Sequence, residues 1–96
     1  MSDTTGNSLK EVLKDMVETY RLKNRLTQTK VKELWEKNMG TPIARYTTAI
    51  KIRKNKLYVQ IQSASLRQEL SYGKDKIKRI LNEELGEALI EEVIIH

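Results

Sequence analysis

Lys51, Arg53, Lys54 and Lys56 fall within six residues, and Tyr58, Gln60 and Gln62 follow at every second position. Ammonium and guanidinium groups bind phosphate oxygens, a phenol ring stacks on a base, and amides bond base edges. On a single strand, each stacked base adds about 1–3 kcal/mol. A sheet face that only meets water has a similar composition, so both readings stand on these residues alone.

The surrounding charge bears on that choice. Residues 21–60 hold eleven Lys/Arg against two acids, Glu33 and Glu36, a local net of +9 in a chain whose total is +5. The segments on either side each net −2. A basic middle attracts polyanions, and neutralised phosphates release condensed counterions. Arg21, Lys23 and Arg25 form a second cluster, and Arg45 stands between the two. The second cluster either grips a phosphate backbone or is a solvated loop; no aromatic residue accompanies it in that reading.

Other chemistries find little material. His96 is the only histidine and there is no cysteine, so no nucleophilic triad, thiolate or transition-metal site is expected. Glu83, Glu84, Glu87, Glu91 and Glu92 match no calcium loop and read as a solvated acidic patch. The four glycines are dispersed, with no phosphate-cradling loop. The expectation is a protein that is not an enzyme and needs no cofactor or metal. No apolar run approaches the roughly 20 residues of a membrane span, and the polar start is no signal peptide. A soluble, cytoplasmic monomer is expected.

The elements that must position these residues follow from periodicity. Residues 1–7 read as a disordered tail and 8–96 as one domain. Ser8 and Glu11 have capping-box spacing. Leu9, Val12, Leu13, Met16, Val17 and Tyr20 recur at helical steps, which predicts an amphipathic helix with this stripe in the core. Residues 21–26 read as a connection whose leucines tuck inward. A second helix is expected over 29–39, burying Val31, Leu34, Trp35 and Met39. Gly40 stops it, Thr41 is a candidate cap, and Pro42 starts a short turn.

The period then changes to two. Ile50 and Ile52 alternate with Lys51 and Arg53; Leu57, Val59 and Ile61 alternate with Tyr58, Gln60 and Gln62. With Lys54-Asn55-Lys56 between them, these runs predict an antiparallel hairpin with one wet face. A third helix, capped by Ser63 or Ser65, is expected to about Leu85, with Gly73 either breaking it or admitting a neighbour. Gly86 ends it, and Glu91–Ile95 reads as a last strand with Val93 and Ile95 inward and Ile94 on the wet side. The fold class is α+β: helix, helix, strand, strand, helix, strand, with a three-stranded sheet and helices on one face.

One ordered set of residues adds a family likeness. Trp35, Met39-Gly40 and Ile43-Ala44-Arg45-Tyr46-Thr47 are followed by Leu57–Ser63, Leu66–Leu70, Ile80-Leu81-Asn82 and Leu85-Gly86. Together, across about residues 9–95, they resemble the DciA family of proteins associated with the bacterial replicative helicase DnaB. The resemblance implies a KH-like fold and a role in loading or operating the helicase, with affinity for DNA. The G-x-x-G loop by which KH domains clamp nucleic acid is absent, which leaves the basic segment as the binding surface. The leading expectation is therefore a non-enzymatic accessory of DNA replication. It would hold single-stranded or forked DNA through Lys51, Arg53, Lys54, Lys56, Tyr58 and Gln60, with Arg45, Arg21, Lys23 and Arg25 in support. The alternatives are a protein–protein adaptor with incidental DNA binding, and an RNA-binding module.

Overall fold

The computed structural model describes residues 2–96 in backbone and from Leu9 onward in side chain. Of the expected tail over 1–7, Met1 and the side chains lie outside the described residues, and the backbone from Ser2 belongs to the first helix. Helix α1 (Ser2–Met39) is followed by a short α2 (Thr41–Tyr46), strands β1 (Thr47–Arg53) and β2 (Lys56–Ile61), helices α3 (Ala64–Ser71) and α4 (Lys74–Leu85), and strand β3 (Glu92–Ile95). The sheet order is β1-β2-β3; β1 and β2 are antiparallel, β2 and β3 parallel. The α+β expectation, with a three-stranded sheet, is borne out.

Strand alternation divides the sheet into two faces. Leu57, Val59, Ile61 and Val93 are buried on the inner one. Against them pack Val31, Leu34 and Trp35 of α1, Leu70 of α3, and Ile77 and Leu81 of α4. Trp35 is fully buried, and its indole N–H donates to Thr47 Oγ1 at 3.0 Å. That hydroxyl donates in turn to Ile43 O at 2.8 Å. The large ring is thereby buried with its one polar atom satisfied.

Two side-chain amides act as short pieces of strand. Gln28 of α1 donates from Nε2 to Ile50 O and accepts from Ile52 N at 2.9 Å, covering the free edge of β1. Asn82 of α4 donates to Ile90 O at 2.9 Å and accepts from Ile90 N at 2.8 Å, fixing the approach to β3.

Several local signals act as expected. Ser63 caps α3, accepting from Leu66 N at 3.3 Å. Gly40 and Gly86 take left-handed φ values of 84° and 79° where α1 and α4 end. Gly73 lies between α3 and α4, so the expected third helix is two helices. Gly40, not Thr41, occupies the cap position of α2, and no side chain bonds there.

The larger correction concerns the first forty residues. The expected pair of helices and their connection are one continuous helix, already helical at Ser8, so that residue starts nothing. Residues 21–26 contain no glycine or proline, and Arg, Leu and Lys are strong helix formers. The residues of the predicted core stripe from Leu9 to Tyr20 are exposed, as are Leu22 and Leu26. With 38 residues at 1.5 Å each, α1 is about 57 Å long, and it sets the 63 Å long axis of a molecule only 23 × 19 Å across.

At the far end of α1, Glu84 of α4 accepts from Asn38 at 2.8 Å and from Lys37 at 3.2 Å. These hydrogen bonds, Asn38's foremost, hold its carboxyl below the ordinary value of 4.5. A depressed folded-state pKa contributes stability above the unfolded value and loses it as pH falls through the folded one. In a carboxyl NMR titration, Glu84 should show a midpoint below 4.5, and Asn38→Ala should move it upward. Gln28→Ala should cost about 1–3 kcal/mol in urea unfolding, because Ile50 O and Ile52 N lose their partner at a packed edge.

Candidate nucleic-acid interface

The hairpin turn is Lys54-Asn55, with φ of 50° and 63°. Two successive positive φ values between paired antiparallel strands are those of a type I′ turn. The tip is tied down from behind: Asn55 O accepts from Glu91 N at 2.8 Å. The turn therefore holds Arg53 and Lys54 at a fixed end of the sheet.

Register sets the open face in rows. Arg53, Lys56 and Glu92 share the row nearest the tip; Lys51, Tyr58 and Ile94 the next; Ala49 and Gln60 the one after. Lys51, Arg53 and Gln60 are exposed, while Tyr58 and Ile94 are half-buried between their neighbours. This is the wet face that the alternation predicted. Lys56 departs from the expectation of a free cation, since its Nζ lies 3.6 Å from Glu92. With both side chains about half exposed, the pair is screened and partly neutralises that row.

The two basic clusters meet. An open cleft of about 590 Å³ lies between α1 and the hairpin tip, and Lys23 and Arg25 line it together with Arg53 and Lys54. Tyr20, Asn24, Thr27 and Gln28 complete the helix side. Positions 20, 23 and 24 fall on one helical face, being three and four residues apart. An aromatic ring thus does accompany the α1 cations, contrary to the sequence reading. Tyr20 was assigned to the core because a 3.6-residue period reports a shared face and not what covers it. Reading 21–26 as helix would have placed Tyr20 beside Lys23.

Two predicted residues stand apart. Arg21 is exposed on α1 but does not line the cleft. Arg45, exposed on α2, lines a separate hollow with Thr41, Pro42 and Tyr46. The seven residues of β1, about 23 Å of strand, separate it from the tip. Lys51 also borders a groove along the β1 edge, opposite Lys32 of α1. Among the described residues there is no group of three or more His, Asp or Glu able to hold a metal ion, and no helix long and apolar enough to cross a membrane.

The family profile described as Dna[CI] antecedent, DciA, matches residues 8–95. The chain belongs to the DciA family. That family is linked to loading of the DnaB helicase in bacterial replication, a role of assembly and not of catalysis. No curated protein and no solved structure matches the chain. The segment matched in this DciA protein includes the whole sheet and α1 from Ser8 onward, so the cleft lies inside it.

Proposed function

We propose that this DciA-family protein binds nucleic acid through the cleft between α1 and the hairpin tip, and in the cytoplasm holds single-stranded or forked DNA beside the replicative helicase. The observation that carries this reading is the convergence of Lys23, Arg25, Arg53 and Lys54 on one cleft from two distant stretches of chain. Four cations around a concave surface raise the local potential above that of the same charges dispersed. Lys51, Tyr58 and Gln60 continue the surface along the open face, where a strand leaving the cleft would meet a ring for stacking and an amide for base edges. Arg45 falls outside this path, and Lys56 contributes weakly while paired to Glu92. The KH-like description is part of the same proposal, supported by helices packed on one side of a small sheet. The binding mode differs from a G-x-x-G clamp.

A second reading, an adaptor whose basic face meets an acidic patch on the helicase, draws support from Ile94, an apolar side chain at the open face beside Tyr58. A pull-down with purified helicase separates the two: a complex that survives nuclease treatment favours the adaptor.

The direct test is fluorescence anisotropy with a short single strand across a salt series. Affinity should fall by about 0.7 log units per log of salt for each phosphate contacted. Combined Lys23→Glu, Arg53→Glu and Lys54→Glu should abolish binding with the fold intact, whereas Arg45→Glu should change it little. Equal losses from both would remove the cleft from consideration.

A further inference from the structure

Apart from Tyr20, which also lines the cleft, the exposed stripe of α1 is a surface that the nucleic-acid reading does not use. Leu9, Val12, Leu13, Met16, Val17 and Tyr20 are each 48–66% exposed along one helical face. Contiguous apolar surface of this kind on a soluble chain marks an interaction site. A solvated helical arm also gains little from its own propensity, since most helical stability comes from packing of the amphipathic face.

We propose that this stripe is where two copies of the chain pair, with their α1 arms antiparallel. Three observations select that occupant. The spacing is the same from either end: about a midpoint between Lys14 and Asp15, Leu9 maps onto Tyr20, Val12 onto Val17, and Leu13 onto Met16. A second copy in reverse direction therefore sets apolar residues against apolar residues at every level, alternating in steps of three and four as a coiled-coil seam requires.

Val31, Leu34 and Trp35, by which the same helix packs on the domain, lie towards one flank of the stripe, on the side of Val17. The domain consequently blocks the stripe face beyond the level of the hairpin tip. A parallel partner would run its helix into that domain; an antiparallel one lies over residues 9–20 and carries its own domain away at the other end. Charge agrees. Residues 9–20 carry Lys10 and Lys14 against Glu11, Asp15 and Glu18, a net of −1, so two arms repel little. Antiparallel pairing also puts the Arg21, Lys23 and Arg25 clusters at opposite ends and opposes the helix dipoles. At 1.5 Å per residue, the two copies' Asn24 residues, at the two clefts, stand roughly 30 Å apart along the shared axis. This dimer replaces the monomer expected from sequence and does not rest on nucleic-acid binding.

Sedimentation of the intact chain tests it first. The mass should rise with concentration towards twice 11.2 kDa, and an apolar contact should persist at about 0.5 M salt, where exposed charge pairs are screened. Met16→Glu should leave a monomer with Trp35 fluorescence unchanged. The chain has no native cysteine, so disulfide formation reports geometry. Combined Leu9→Cys and Tyr20→Cys should cross-link into a covalent dimer under mild oxidation, while either single substitution should not. A monomer at all concentrations up to roughly 100 μM, a dimer untouched by Met16→Glu, or equal cross-linking through Leu9→Cys alone would overturn the proposal. A stripe covered only when helicase is added would do so as well.

Discussion

The seam between the last third of α1 and the start of the sheet governs the rest of the molecule. Trp35 is buried there, tied through Thr47 to the end of α2, and Gln28 lies along the edge of β1. Removing a ring of this size from a core costs about 3–5 kcal/mol, a large share of the stability of a small domain. The seam also fixes the direction of α1. With Gln28 and Trp35 seated, the helix leaves past the hairpin tip, and Lys23 and Arg25 arrive beside Arg53 and Lys54. The same packing thus sets the core and the cleft.

Much of the domain was legible from local chemistry. The period of two marked β1 and β2, Asn55 marked the turn, Ser63 the cap of α3, and Gly40 and Gly86 the helix ends. Each of these is decided by a few neighbouring residues. Trp35 was assigned to the core correctly because its stripe partners Val31 and Leu34 are also buried. What failed was non-local. The stripe from Leu9 to Tyr20 has the pattern of a core helix, yet among the described residues no element covers it. Periodicity shows that a face is apolar and says nothing of what lies against it.

The basic cluster was misjudged for a related reason. Lys23, Asn24 and Thr27 interrupt the apolar stripe, and polar residues at stripe positions read as a loop. In the structure they are helical and stand at the level of the hairpin tip, where the helix faces a wet cleft. The interruption was therefore a mark of the site. The open-face residues were placed correctly relative to one another, because strand register follows from alternation. Their relation to α1 depends on the packing of elements far apart in sequence. The same applies to Lys56, whose pairing with Glu92 needs the parallel β2–β3 register.

Gln28 has one more effect. The outer margin of a sheet is a template on which another extended chain can add, and proteins that leave it bare are prone to aggregate. Here a side-chain amide fills two of the main-chain positions an incoming strand would need, at Ile50 and Ile52, and the body of α1 stands in the way. Local detachment of the helix would uncover the alternating Ile50–Ile52 stretch as a seed for fibrous assembly. Retaining α1 on the sheet is thus also a safeguard against intermolecular strand addition.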